Sequence, residues 1–243
     1  MIKRKGEWSQ EKVKETVKKY RDLRNQYLKD VENIHVKLLP GNSKTGSNCR
    51  TVSLLPIVDC PNCSKCKLNC YDVRHDCINK NCLVLRAQNS AIHKKDRARY
   101  WKEIDEGVKA DFVLELRLNV GGDLEREDFD YVQQLGESNK RTEILFFTKN
   151  YNACNEFITA NISKYPDNFG FPANVHPIYS AWIGMKMDNP YNVPTSHVLW
   201  ENGDTTAPEF GSYYCGGNCS ACHFHAEGCW ELKSGESVIF KAH

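Results

Sequence analysis

Cysteines gather in two short stretches of this chain, one in each half. Eight of its twelve cysteines lie in or beside these stretches. The first stretch, 60–70, reads C-x2-C-x2-C-x3-C, and the second, 215–222, reads C-x3-C-x2-C with a further cysteine at 229. Loops of this spacing bring several soft sulphur ligands to one point, as a thiolate-bound metal requires, so two metal sites are predicted. Their expected ligands are Cys60, Cys63, Cys66 and Cys70 in the first site, and Cys215, Cys219, Cys222 and Cys229 in the second.

The rest of the composition is that of an ordinary globular protein, with 40% hydrophobic and 26% charged residues. No apolar run approaches the ~20 residues that a membrane helix needs, and the basic start at residues 1–5 leads into no secretory signal. We therefore expect a cytoplasmic protein without a membrane partner. Its thiols should stay reduced there, so metal binding is a better prediction than disulfides. The formal net charge of +2 neither indicates nor excludes nucleic acid.

The two cysteine patterns point to iron–sulphur chemistry of different kinds. The first has the spacing of bacterial ferredoxins, although Tyr71 stands where they usually carry proline and the chain holds no second copy of the run. The second has the spacing of the cluster motif in radical S-adenosylmethionine (SAM) enzymes, yet it lies near the C-terminus. Together with Cys229 it offers four thiolates, which favours a closed cluster with a structural or electron-transfer role.

Other side chains near the cysteine stretches leave alternatives open. His223 and His225 lie between the last two cysteines of the second set and could bind zinc together with those thiolates. Cys77 and Cys82 follow the first stretch and could replace one of its ligands. The sequence therefore predicts iron–sulphur clusters first and zinc as the alternative.

Apolar periodicity predicts one long N-terminal helix followed by alternating strands and helices. The helix runs from Ser9 to Ile34, with a basic face that we interpret as solvated, although a partner or nucleic-acid helix would show the same pattern. The alternation favours an α/β fold with a mainly parallel sheet. The expected strands are 51–55, 112–120, 143–148, 176–182 and 196–200, and the expected later helices are 83–106, 125–135 and 152–160. We divide the chain into an N-terminal amphipathic helix (1–40) and an iron–sulphur α/β domain (41–243).

The order of elements around the first cysteine stretch is informative in itself. A strand, the cysteine loop, a helix and a second strand follow one another, and the second strand ends in Gly121-Gly122-Asp123. This order resembles the opening of a radical-SAM barrel, whose second strand ends in a Gly-Gly-Glu motif that contacts the SAM amino group. Asp123 would keep the carboxylate that an ammonium partner needs. Alternatively, Asp123 would be the N-cap of the next helix, a position that aspartate favours.

A set of short motifs extends from Gly41 to the C-terminus. They read GNSK at 41–44, CKLNCY at 66–71, VGGD at 120–123, FTK at 147–149, SAW at 180–182 and DNP at 188–190, followed by the C-terminal cysteines and Trp230. With these motifs the chain resembles the phage and mobile-element "gene product eighty-eight" proteins, whose function is poorly defined. The resemblance implies a cytoplasmic iron–sulphur protein with a barrel related to radical-SAM enzymes. One departure is the six-residue gap between Cys222 and Cys229, which is longer than the family pattern.

These observations and the resemblance together predict a compact or incomplete (β/α) barrel of the radical-SAM type, with an extra N-terminal helix. It would hold two [4Fe-4S] clusters and act on an unidentified substrate or redox partner. In an enzyme the first cluster would reduce SAM, with Gly121, Gly122 and Asp123 holding the methionine end. The alternatives are a non-enzymatic protein whose closed clusters serve structure or electron transfer, and a zinc-binding interaction protein.

Overall fold

One parallel β-sheet organises the chain. The structure is a computed structural model, and it describes residues 8–41, 45–46, 48–63 and 65–242. The strands are β1 Cys49–Val52, β2 Glu115–Leu118, β3 Glu143–Thr148, β4 Val175–Ser180, β5 Thr195–Leu199, β6 Ser212–Tyr214 and β7 Ser237–Lys241. They lie in the order β1-β2-β3-β4-β5-β7-β6, and every neighbouring pair is parallel. The prediction of an α/β fold with a parallel sheet is confirmed.

Helices connect most of the strands. The described residues form α1 Gln10–Leu28, α2 Tyr71–Ile78, α3 Lys80–Lys95, α4 Arg97–Ala110, α5 Asp128–Ser138, α6 Tyr151–Asn161 and α7 Cys219–Phe224. The predicted helix 83–106 is in fact two helices, because the backbone leaves the helical region at Asp96 (φ −149°, ψ 89°). The Asp96 carboxylate then accepts a hydrogen bond from Arg99 N at 2.9 Å and caps the new helix. Helices α2 and α7 and strands β6 and β7 were not predicted.

The two faces of the sheet bury different sets of side chains, because successive residues of a strand point to opposite faces. On one face, Ile144 and Phe146 of β3 join the main core, which α4, α5 and α6 cover. On the other face, Leu145 of β3 and Ile178 of β4 pack with Trp230 from the C-terminal region. We call this second face the inner face.

The sheet curls toward its inner face. Phe147 of β3 and Phe240 of β7 contact each other there, with ring centroids 5.8 Å apart, although β4 and β5 lie between their strands. In a flat sheet, three strand spacings would separate them by about 14 Å. Among the described residues β1 and β6 are the two edges of the sheet, so it is curved and open.

Helix α1 packs next to the first cysteine stretch. Ser9 caps the helix by accepting a hydrogen bond from Lys12 N at 3.1 Å. Its buried residues Val13 and Tyr20 join Leu55 and Leu83 in a small core that Cys63 and Cys70 also contact. The lysines of α1 are exposed, as both the solvated-face and the partner-helix interpretations require. Among the described residues, no helix is long and apolar enough to cross a membrane.

Candidate metal centres

The first cysteine stretch lies over the carboxyl ends of β1, β2 and β3. Before Cys60, the Asp59 carbonyl accepts a hydrogen bond from Asp123 N at 2.8 Å. After Cys70, the Tyr71 hydroxyl donates to the Val120 carbonyl at 3.0 Å, so both ends of the stretch are joined to the end of β2. In between, the Asn62 amide donates to the Lys149 carbonyl at 3.2 Å, at the end of β3. This edge of a parallel sheet is where α/β proteins place their binding sites.

Three thiols of the first set stand close together and the fourth is deeper. Cys63 Sγ lies 3.9 Å from Cys66 Sγ and also interacts with the Cys60 thiol. The hydrogen bond with Cys63, helped by the charge of Lys149, lowers the pKa of Cys66 to about 7 against the effect of its burial. Burial raises the pKa of Cys70, which ends the stretch just before α2. The four predicted ligands of the first site are therefore brought together.

The two glycines that follow β2 allow this close packing. Gly122 has a positive φ of +84°, and a Cβ there would lie 2.7 Å from the Cβ of Leu54. A Cβ on Gly121 would lie 3.0 Å from the guanidinium carbon of Arg86. The Gly121 carbonyl accepts a hydrogen bond from Leu54 N at 2.9 Å. Gly122 therefore needs to be glycine so that the end of β2 can contact the segment leading to Cys60, and a side chain at Gly121 would press on Arg86.

Asp123 is buried and joins the ends of β2 and β3. Its Oδ1 accepts a hydrogen bond from Leu124 N and its Oδ2 from Lys149 N, both at 2.8 Å. Burial raises the pKa of the carboxyl, against the effect of these hydrogen bonds. The N-cap alternative is wrong, because the next helix, α5, begins only at Asp128. Asp128 itself accepts a hydrogen bond from Glu125 N at 2.9 Å.

Lys149 brings a positive charge to the same edge, which the sequence reasoning missed. Its Nζ donates a hydrogen bond to Ser180 Oγ at 2.9 Å and lies 5.7 Å from the centre of the Trp182 ring. Trp182 in turn meets Trp200 edge to face, with centroids 5.3 Å apart. The available signal was the position of Lys149 directly after the apolar run of β3. This edge therefore combines thiols, a carboxylate, an ammonium group and two half-buried tryptophans.

The second cysteine set lies on the inner face, at the opposite end of the strands. Glu115 is the first residue of β2 and faces inward beside Cys49. Its Oε2 accepts a hydrogen bond from Ser220 Oγ at 2.7 Å, and its Oε1 lies 3.0 Å from His223 Nδ1. Ser220 N also donates to the Thr45 carbonyl at 3.1 Å, just before β1. Helix α7 is thus attached to the amino ends of β1 and β2, so the two cysteine sets occupy opposite ends of one sheet.

Three cysteines of the second set belong to the same apolar cluster as Trp230. Cys219, Cys222 and Cys229 pack with Trp230 in the inner-face cluster. Trp230 Nε1 donates to the Cys219 carbonyl at 2.9 Å, and Cys215 Sγ accepts from Gly217 N at 3.4 Å. Burial raises the pKa values of the Cys219, Cys222 and Cys229 thiols. Three predicted ligands of the second site therefore lie together, and Cys215, which is exposed, lies near enough to raise the pKa values of Cys219 and Cys222 further.

The remaining candidate ligands have other environments. His223 is paired with Glu115, and His225 is exposed. Cys82 lies with His75 and Asp76, the one trio of potential ligands in the described part of the chain whose ligand atoms all lie within 4.8 Å of one another. Asp76 already accepts hydrogen bonds from Arg86 at 2.8 Å and from the Tyr20 hydroxyl at 3.2 Å, so a cation would compete with Arg86. The Cys77 side chain lies outside the described part.

The spacing of the thiols bears on the size of the group they could hold. Four sulphurs around one zinc, each at about 2.3 Å in a tetrahedron, would lie roughly 3.8 Å apart. Among the described residues, no three cysteine thiols lie within 4.8 Å of one another. The Cys63–Cys66 separation of 3.9 Å matches this spacing, so the first set suits a single ion as well as a cluster.

Arg117 gives a second test of what the second site could hold. The side chain lies on the inner face, with Nη1 3.9 Å from Cys219 Sγ and the guanidinium 4.8 Å from the centre of the Phe147 ring. Its Nε is buried without a hydrogen-bond partner among the described residues. A guanidinium keeps its positive charge in proteins, so it needs a nearby negative group when it leaves water. An anionic, thiolate-bound metal centre fits this requirement.

Comparison with known proteins finds no matching family model, curated protein or solved structure. The resemblance to the gene product eighty-eight proteins therefore stays a prediction.

Proposed function

We propose that this protein is an iron–sulphur protein with two four-iron clusters, one at each end of a curved parallel sheet. The observation that carries the proposal is the convergence of eight cysteines into two separate sets of four, held there by backbone and side-chain hydrogen bonds. Thiolates are the ligands that such clusters use. We propose a cytoplasmic location, where thiols stay reduced and free to bind metal.

We infer further that the sheet is an incomplete (β/α) barrel. Strands β1 to β5 follow one another in space as they do in sequence, as in a barrel. The inner-face contact of Phe147 with Phe240 supports strong curvature. Helix α7, which follows the β6 edge, reaches the segment before β1 through Ser220 and Thr45. The C-terminal cysteine loop would then close the gap that a complete barrel fills with strand pairing.

The first cluster is the proposed active centre, in a radical-SAM-like arrangement. A reduced four-iron cluster supplies one electron to a bound ligand. The three close thiols Cys60, Cys63 and Cys66 would hold the cluster at the carboxyl edge, above the segment 121–123. Asp123 would place a negative charge and Lys149 a positive charge beside it, which suits a ligand with an ammonium and a carboxylate group such as SAM. The resemblance to radical-SAM enzymes supports this assignment.

One observation favours a second candidate function, a closed-cluster protein for structure or electron transfer. Both oxygens of Asp123 already accept backbone hydrogen bonds, and the residue is 6% exposed. Cys70 also offers a fourth thiolate to the first cluster. In that case Asp123 would only join β2 to β3, and neither cluster would have an open iron.

Protein purified without oxygen should be brown and contain iron and acid-labile sulphide in equal amounts. The reason is that thiolate-bound clusters are built from equal numbers of iron and sulphide, whereas zinc binds to thiolates without sulphide. Metal analysis and a sulphide assay on the same sample check this. Stoichiometric zinc without sulphide would defeat the proposal and leave the zinc-binding interaction protein.

Adding SAM should change the spectrum of the reduced first cluster, and Asp123→Asn should weaken this response without loss of iron. Asparagine keeps the shape and one acceptor oxygen but removes the charge. A hydrogen bond to a charged group contributes about 1.5–3 kcal/mol, so the SAM concentration needed should rise roughly 10- to 100-fold. Electron paramagnetic resonance of the reduced protein, titrated with SAM, measures this.

The matched control for Asp123→Asn is Asp128→Asn. Asp128 is also a buried carboxylate, but it contacts His93 and Trp101 behind the sheet rather than the cysteine loop. The control should lower stability and leave the SAM response unchanged. A reduced cluster whose spectrum ignores millimolar SAM would favour the closed-cluster protein.

A further inference from the structure

We propose that Arg117 is the internal counter-ion of the second cysteine site, so that metal loading there neutralises a positive charge built into the sheet. This inference rests on the proposed function, since it assumes a thiolate-bound metal at the second site. It goes beyond that function by assigning a role to a residue that is not a ligand.

The position of Arg117 places its charge against the thiols. It is the third residue of β2 and shares the inner face with Glu115. One guanidinium nitrogen lies 3.9 Å from Cys219 Sγ. The Cys49 and Cys229 thiols are also near enough to interact with the charge. The charge therefore lies near three thiols and the Tyr71 hydroxyl, with Cys219 in contact.

No carboxylate offsets this charge in the described part of the chain. Among the described residues, no Asp or Glu oxygen lies within 4.0 Å of the Arg117 guanidinium. Glu115 is two residues away on the same face, but its oxygens are bonded to Ser220 and His223. Phe147 offers only the face of its ring, at 4.8 Å. The guanidinium is thus left with the thiol site as its source of negative charge.

Arg86 is buried with its charge balanced, whereas Arg117 is half-buried. Arg86 donates to Asp72 and to Asp76, each at 2.8 Å, so two carboxylates balance its charge. Burying a charge without a partner costs several kcal/mol, and the cost is recovered when an opposite charge binds beside it. Thiolates bound to metal carry that opposite charge for both an iron–sulphur cluster and a zinc ion. The counter-ion role therefore does not depend on which of the two metals is bound.

Arg117→Met tests the role, because methionine fills similar space without charge. Metal loading should raise the melting temperature of the wild-type protein more than that of Arg117→Met, since only the wild type gains a neutralised cation. Arg117→Lys keeps the positive charge, so metal loading should raise its melting temperature nearly as much as that of the wild type. Arg126→Met is the matched control, because Arg126 also lies over a phenylalanine ring, at 5.6 Å from the centre of Phe157, but the thiol near it is Cys154, which belongs to neither cysteine set.

The reduction potential of the second cluster gives an independent measurement on the loaded protein. A nearby positive charge favours the reduced, more negative cluster. Arg117→Met should therefore make one-electron reduction about tenfold less favourable, which is a shift of about 59 mV to more negative potential. A redox titration followed by electron paramagnetic resonance measures the shift. Iron content should not change.

The outcomes separate this inference from the proposed function. Equal iron and sulphide with no effect of Arg117→Met on either measurement would overturn the counter-ion role and leave the iron–sulphur proposal standing. Zinc without sulphide, together with a smaller rise in melting temperature on metal loading in Arg117→Met, would overturn the iron–sulphur proposal and leave the counter-ion role standing. The counter-ion role would also be overturned if Arg126→Met reduced the metal-induced rise in melting temperature as much as Arg117→Met does. That result would show a general effect of lost arginine charge.

Discussion

Cys219→Ser should remove roughly half of the iron and sulphide while leaving the first cluster in place. Serine keeps the size of cysteine but replaces a soft thiolate with a hydroxyl, which is a poor ligand for iron–sulphur clusters. Only half of the metal should be lost because the two cysteine sets lie at opposite ends of the sheet and share no hydrogen bond between their loops in the described residues. Iron and sulphide assays on anaerobically purified protein check the result.

The same substitution should also loosen the C-terminal segment. A cluster held between Cys215 and Cys229 cross-links a loop of about 15 residues, and closing such a loop is worth about 3 kcal/mol. Without it, the hydrogen bonds of Ser220 and of Trp230 would have to hold α7 on the inner face alone. Limited proteolysis should therefore cut the variant between residues 210 and 230 faster than the wild type.

Two matched variants complete the experiment. Cys63→Ser should lose the other half of the iron and leave the C-terminal segment resistant to proteolysis. Cys82→Ser should lose none, because Cys82 lies with His75 and Asp76 outside both sets. Unchanged iron in Cys219→Ser would show that Cys219 is not a ligand.

The parts of the fold that depend on local patterns were predictable from the sequence. The apolar run 143–148 is β3 with the same bounds, because a short strand covered on both faces needs apolar residues at nearly every position. The break at Asp96 was missed because apolar residues continue with helical spacing on both sides of it, and only the capping bond reveals it. Strand β6 was missed because it has three residues, and Tyr213 and Tyr214 among them are exposed.

The candidate sites were also predictable only where they depend on local sequence. Cysteine spacing is a local property, so the two sets could be named from the sequence. Their placement at opposite ends of the sheet depends on strand pairing, which spacing does not encode. The contacts of Lys149 and Arg117 are with residues distant in sequence. Lys149 contacts Ser180 and Arg117 contacts Cys219, so neither contact could be predicted from local patterns. The helix-cap alternative for Asp123 rested on the residues that follow it, but its carboxylate accepts from Leu124 N and from Lys149 N, just after β3.

Arg86→Met should lower the free energy of unfolding by about 3–5 kcal/mol, because it leaves two buried carboxylates without their cation. Arg86 holds Asp72 and Asp76 of α2, and Asp76 also accepts a hydrogen bond from Tyr20 of α1. For a domain of this size the melting temperature should fall by roughly 10 °C. Arg126→Met removes an exposed i,i+4 pair with Asp130 and should cost less than about 0.5 kcal/mol.

The effect of pH distinguishes lost charge pairing from lost packing. Burial raises the pKa of Asp76 above its ordinary value, and Arg86 counteracts that rise. Without Arg86 the pKa should rise further in the folded protein, whereas the unfolded value stays the same. A carboxyl with a raised folded pKa destabilises the fold above that pKa and ceases to do so once it is protonated. The stability deficit of Arg86→Met should therefore shrink as the pH falls from neutral, in melts recorded at a series of pH values. A deficit that is equal at every pH would mean that Arg86 contributes by filling space, and α2 would then be held after Cys70 by packing alone.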